Sequence, residues 1–177
     1  MGLRPAEACG LHWDDVNLES GTLKVEFTRT IVWGANGGRV IEKGTKTAAG
    51  RRTLPLPAPV TAALRAFKAR QAAEQLAAGP AYEASNYVLV DELGSPQRTD
   101  WLRRQTDKLM AEADVRKVRP YDARHACLAF LAVSGVPGPI VSAWAGHSDL
   151  SMAQRVYTHP TVADLAQGAE KLAELLG

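Results

Sequence analysis

Between Ala126 and Gly146 the chain carries no charged side chain, and this stretch constrains the fold more than any other. Its length approaches the ~20 apolar residues that span a bilayer. Its centre does not allow one continuous helix, because Gly135, Pro137, Gly138 and Pro139 fall together there. Proline lacks the backbone N–H that a helix interior needs and clashes with the preceding turn. The segment therefore reads as two short buried helices joined by a turn, not as a membrane span. A composition of 46% hydrophobic and 23% charged residues over 177 positions suits one globular domain with a real core and excludes disorder over the whole chain. Met1-Gly2-Leu3-Arg4-Pro5 has no apolar run behind it, so no secretory signal is expected. Ala6 stands where a myristoylation signal needs Ser or Thr. Two cysteines, Cys9 and Cys127, are too few for a disulfide framework. Both read as core residues, and a reducing cytoplasm is the expected setting.

Pattern and punctuation give the remaining elements. Arg4–Trp13 reads as a short helix with Pro5 in its first turn, where a missing N–H is harmless. Leu23–Val32 alternates and is rich in Val, Ile, Thr and Phe, so it reads as a strand; Val40-Ile41 and Thr53-Leu54 read as two more. Together they predict a small antiparallel sheet. Helices are expected at 59–76, 100–113, 122–133, 139–145, 150–156 and 161–176, with a brief apolar run at Tyr87–Val90 as a further candidate strand. The last helix carries Val162, Leu165, Ala169, Leu172 and Leu176 along one face.

A formal net charge of +2 is too small to indicate a nucleic-acid partner by itself. The charge is segregated, however. Arg39, Lys43, Lys46, Arg51 and Arg52 fall within one short segment against Glu42 alone, and Arg116, Lys117, Arg119 and Arg124 within another against Asp122. Two such segments flanking a helical core predict one phosphate-facing surface, with ordinary solvated faces as the alternative.

Several groups suited to phosphate chemistry lie along this framework. They are Arg4 at the first helix, Lys46 between strands, Arg124-His125 after Pro120-Tyr121-Asp122, Gly146-His147-Ser148 in a turn, and Tyr157 ahead of Thr158-His159. Taken singly, each has an ordinary reading: a solvated lysine, a half-buried tyrosine, an arginine paired with Asp122 or Glu7. Taken in order, Gly2-Leu3-Arg4-Pro5-Ala6-Glu7, Leu11-His12-Trp13-Asp14-Asp15, Thr45-Lys46-Thr47 leading to Arg51-Arg52-Thr53-Leu54-Pro55-Leu56, Tyr121-Asp122-Ala123-Arg124-His125, Ala145-Gly146-His147-Ser148 and Tyr157-Thr158-His159 resemble the catalytic domain of the tyrosine recombinase (phage integrase) family.

The resemblance implies an α+β fold, mainly helical, with a small antiparallel three-stranded sheet. It implies a DNA strand-transferring enzyme that uses neither metal nor other cofactor and works through a 3′-phosphotyrosine. Tyr157 would be the nucleophile, Arg4 and Arg124 the phosphate clamp, Lys46 the general acid, and His147 a hydrogen-bond donor to a non-bridging oxygen. Arginine suits a clamp because its charge is permanent and its planar fork bonds two oxygens. Glu7 and Asp15 would orient Arg4 or cap local structure. Tyr121 occupies the position where the family usually has histidine, and so serves as a supporting residue that cannot act as a histidine-like base. Arg39, Lys43, Arg51, Arg52 and Arg119 are the expected DNA contacts and double-stranded DNA is the expected partner, while the apolar face of the helix over 162–177 is expected either to dock on a neighbouring protomer in a tetramer on DNA or to pack on its own domain. The first motif begins at residue 2, so residues 1–177 are expected to be a catalytic domain without its first helices or the family's preceding DNA-clamping domain. The alternative is an inactive remnant or DNA-binding regulator that keeps the fold. A metal-dependent nuclease would need a cluster of ligands that the sequence does not offer.

Overall fold

A computed structural model of the chain describes residues 1–34, 37–44, 50–146 and 162–176. Lys46, His147 and Tyr157, with the helix expected at 150–156, lie outside the described residues. The helices are α1 (Pro5–Cys9), α2 (Ala58–Ala78), α3 (Thr99–Glu112), α4 (Pro120–Val133), α5 (Gly138–Ala145) and α6 (Val162–Leu176). The strands are β1 (Val16–Asn17), β2 (Thr22–Val25), β3 (Phe27–Gly34), β4 (Gly37–Gly44) and β5 (Arg52–Pro55). This is the expected mainly helical α+β architecture.

Local chemistry sets the helix ends. Pro5 and Pro120 occupy the first turns of α1 and α4, and a carboxylate three residues beyond each cap, Glu7 or Asp122, accepts the cap residue's backbone N–H. The Gly135–Pro139 cluster separates α4 from α5 as its composition predicts. Gly146 ends α5 in the left-handed region (φ 64°), a conformation that glycine adopts at no steric cost.

The sheets differ from expectation in two respects. The stretch read as one strand, Leu23–Val32, is broken at Glu26 into β2 and β3. The three-stranded antiparallel sheet is β1-β2-β5, with Leu23 opposite both Val16 and Leu54. β3 and β4 form a separate hairpin, paired from Phe27 opposite Gly44 to Gly34 opposite Gly37. Burial explains the break. Leu23, Val25 and Leu54 are core residues, whereas the hairpin runs outward until Val32 is half exposed. The Tyr87–Val90 run forms only isolated bridges, His12 with Tyr87 and Val90 with Pro96.

The core joins the sheet to α4, α5 and α6 through Leu23, Leu54, Leu131, Ile140, Trp144 and Leu172. One buried polar side chain inside it is matched at both ends. Gln71 of α2 accepts from Trp13 Nε1 at 2.6 Å and donates to the Val88 carbonyl at 2.8 Å, which offsets the cost of its burial. On α6, Leu165, Ala169 and Leu172 pack into this same core, while Val162, Leu175 and Leu176 remain exposed. Most of the apolar stripe therefore takes the second of its two expected destinations and packs on its own domain.

Candidate active site

Glu7 lies at the centre of three arginines contributed by three separate elements. Arg4, the residue that caps α1, donates from Nη1 to Glu7 Oε1 at 2.6 Å. Arg52, the first residue of β5, bonds both carboxylate oxygens at 3.0 Å. Arg124, in the second turn of α4, brings Nη1 to 3.8 Å from Oε2. Glu7 and Arg124 are almost completely buried, 2% and 1% exposed, and the Arg52 side chain is 6% exposed. The Arg4 side chain is the open member, at 30%.

The same three guanidiniums also converge on the C-terminal end of α5. Arg52 Nε donates to the Trp144 carbonyl at 2.8 Å, Arg124 Nη2 to the Ala145 carbonyl, and Arg4 Nη2 to the Gly146 carbonyl at 3.3 Å. The last carbonyls of a helix have no partners inside it and carry the negative end of its dipole, so they attract cations. Arg124 Nη1 donates further to the Gly2 carbonyl at 2.6 Å. Gly2 holds φ at 67° to present that carbonyl, and a Cβ there would come within 3.1 Å of Cys127 Sγ. The Gly2-x-Arg4 spacing thus has a geometric reason: the glycine orients the Arg124 guanidinium, and Arg4, two residues on, brings a second guanidinium to the same carboxylate.

Electrostatics within the cluster follow from burial and pairing. Burial alone would raise the Glu7 carboxyl, but hydrogen bonds and charge from Arg52, joined by Arg4, hold it below its usual value. Burial lowers the Arg124 pKa, the like charges of Arg4 and Arg52 act in the same direction, and Glu7 opposes them. Guanidinium remains charged under all ordinary conditions. Three guanidiniums against one carboxylate leave this pocket wall two positive charges in excess. A site with that surplus, exposed at Arg4, is built to take an anion with spread negative charge.

The other expected residues are distributed as follows. Tyr121 lies three positions before Arg124 on α4, 47% exposed, with its ring edge-on to His125 at 4.9 Å between centroids. Arg39 and Lys43 lie on exposed alternate positions of β4, opposite Val32 and Thr28 of β3. The intervening Glu42 faces the other way and accepts from the Tyr87 hydroxyl. Arg29, opposite Glu42, donates to the Pro96 and Gln97 carbonyls at 2.9 and 2.5 Å, so the hairpin root is tied down through its inner face. Arg51 is exposed, and Arg119 is exposed while its guanidinium holds Asp122 at 2.8 and 2.9 Å. Arg52 differs from these residues in pointing inward. Asp15 is 3.6 Å from His12, not at Arg4. Burial pushes the Cys9 thiol up to about 11, which makes it a poor nucleophile, as its apolar setting predicts. Arg29, Gln71 and Trp144 carry no local motif, because their structural roles depend on long-range partners.

A mainly helical α+β domain with an arginine-rich, positively charged cluster around a buried carboxylate is thus defined, and comparison with known proteins gives its family. The Phage integrase family model matches residues 1–163, and the chain belongs to that family. It is 31% identical over 182 residues to the "Tyrosine recombinase XerC-like" protein of Caldanaerobacter subterraneus subsp. tengcongensis, covering 98% of this chain and 46% of that protein. It is 32% identical over 164 residues to an integrase of Streptomyces ambofaciens, covering 88% and 41%. The chain spans about half the length of the curated relatives it matches. Among solved structures it resembles the Tn1549 transposon integrase in complex with transposon right end DNA (TM-score 0.66, 22% identity, 97% of this chain and 55% of that one). It also resembles the XerA recombinase (TM-score 0.64, 19% identity, 97% and 53%). No helix among the described residues is long and apolar enough to cross a membrane.

Proposed function

We propose that this chain is the catalytic part of a site-specific recombinase that breaks and rejoins double-stranded DNA through a 3′-phosphotyrosine. The observation that carries this reading is the convergence of Arg4, Arg52 and Arg124 on Glu7, which leaves a partly open, positively charged site in the order that the family motifs require. Tyr157 Oη attacks the phosphorus of a phosphodiester, the P–O5′ bond breaks, and Lys46 gives a proton to the departing 5′-oxygen. The phenolic proton passes to solvent water as the attack proceeds, and the guanidinium charge at the phosphate favours its loss. Arg4 and Arg124, with His147, stabilise the charge that grows on the non-bridging oxygens. Rejoining reverses these steps with the 5′-hydroxyl of a second strand, so the bond energy is conserved in the protein–DNA ester.

Arg39, Lys43, Arg51 and Arg119 lie on exposed surface, where they fit backbone phosphate contacts. Work on chromosomal or element DNA fits a cytoplasmic setting. On DNA we propose a tetramer, its C-terminal contact supplied by α6 through the apolar residues it leaves exposed, Val162, Leu175 and Leu176.

The test uses a duplex selected for binding from a random-sequence pool and nicked close to the cleavage point, so that the short cleaved fragment diffuses away. The chain is expected to accumulate as a covalent DNA adduct, and Tyr157→Phe to yield none. Tight, specific binding with no adduct under any nick placement would instead leave a DNA-binding protein without strand-transfer chemistry.

A further inference from the structure

We infer that Arg52 is a positioning residue rather than a DNA contact: it keeps Glu7 engaged so that Arg4 and Arg124 stay available to the phosphate. This rests on the strand-transfer reading above. Arg52 belongs by sequence to the basic segment 39–52, yet all three nitrogens of its guanidinium donate inside the protein, in four hydrogen bonds. Nη1 and Nη2 each take one oxygen of Glu7 at 3.0 Å, Nε takes the Trp144 carbonyl at 2.8 Å, and Nη1 also takes the Gly50 carbonyl at 3.1 Å. Little of the guanidinium is left for a DNA backbone.

Charge explains why a third arginine belongs there. The transition state of phosphodiester transfer carries about two negative charges on the oxygens around phosphorus. Arg4, Arg52 and Arg124 with Glu7 offer an excess of two positive charges. Remove Arg52, and the excess falls to one. Glu7 would then turn its full charge on Arg4, 2.6 Å away, and Arg124, 3.8 Å away, and would compete with the incoming phosphate for both. Arg52 also ties β5 to the C-terminal end of α5, the end on which Arg4 and Arg124 rest. Its loss removes both the neutralising charge and one of the three braces.

The experiment compares Arg52→Met, Glu7→Gln and the double variant with the parent chain in three measurements. The first is the salt dependence of DNA binding. A residue that touches phosphate contributes about one unit to the slope of log K against log salt. Arg52→Met should leave the slope unchanged, whereas Arg39→Ala should lower it. The second is single-turnover cleavage at saturating DNA, where Arg52→Met should slow adduct formation by roughly 100-fold. Adding Glu7→Gln should recover at least tenfold of that loss, because the competing carboxylate charge is gone while Arg4 and Arg124 remain. A lost DNA contact or a general folding defect would not be relieved by a second substitution in the core.

The third is the urea midpoint of the four proteins without DNA, which reads the coupling between residues 7 and 52 apart from any reaction; the double variant should be more stable than Glu7→Gln. A slope that falls by a full unit in Arg52→Met, or a double variant slower than either single one, overturns the inference. If the parent chain forms no adduct, the strand-transfer reading fails; the salt slope and the stability coupling still decide whether Arg52 serves Glu7, and additive stability effects would overturn that claim.

Discussion

Glu7→Gln is expected to destabilise the fold by about 3–5 kcal/mol, read as a lowered urea midpoint with an unchanged slope. Removing one partner from a buried ionic cluster costs more than exchanging the whole cluster for neutral groups, because the charges left behind have lost both water and counter-ion. Here Glu7 is 2% exposed, and three guanidiniums meet at its two oxygens. A glutamine of the same shape still accepts one or two hydrogen bonds but leaves three like charges facing each other. The pH dependence follows from the same geometry. The folded-state pKa of Glu7 is lowered despite burial, by Arg52 and then Arg4. Its contribution is therefore complete above the unfolded-state value of about 4.3 and is lost as pH falls through the lower folded-state value. The parent chain should lose stability across that acidic window, and Glu7→Gln should lose correspondingly less.

Arg124→Lys is expected to slow adduct formation by about 100- to 1,000-fold, the usual effect of deleting a donor aimed at developing oxyanion charge. DNA affinity should change by no more than severalfold. Arg124 divides its fork between the Gly2 carbonyl at 2.6 Å and the Ala145 carbonyl while facing Glu7. Lysine keeps the charge but places a single ammonium where a planar, two-pronged donor joins α4 to the Gly2 carbonyl ahead of α1 and to the end of α5. The loss should therefore appear in the chemical step measured at saturating DNA. Arg39→Ala should behave in the opposite way, with weaker binding and a reduced salt slope but an undiminished rate once the DNA is bound.

Those two expectations concern residues that were legible in the sequence to different degrees. Arg4 and Arg124 stand in recognisable local motifs, and Glu7 follows Arg4 by the three residues that a helix-capping carboxylate needs. The division between α4 and α5 was equally plain, since Gly135, Pro137 and Pro139 forbid a continuous helix whatever else packs there. Arg52 was not legible. It sits in a basic run like Arg51, and only the pairing of β5 with β2 turns one of the two neighbours inward. The split at Glu26 was hidden for a similar reason. Alternation continues through Leu23–Val32, and the sequence does not state that β2 takes β5 as partner while β3 turns away with β4. The destination of the α6 stripe was likewise open, because amphipathicity specifies an apolar face and not the surface that covers it. Tertiary structure puts Leu165, Ala169 and Leu172 against the chain's own core.

The most direct measurement of the central claim is the identity of the bond between protein and DNA. The adduct trapped on a nicked substrate is digested with protease and nuclease, and the surviving nucleotide–peptide is sequenced by mass spectrometry. One cross-linked peptide is expected, with the phosphate of a 3′ end esterified to Tyr157. A DNA link at any other side chain, or a 5′-phosphate in the linkage, would contradict it.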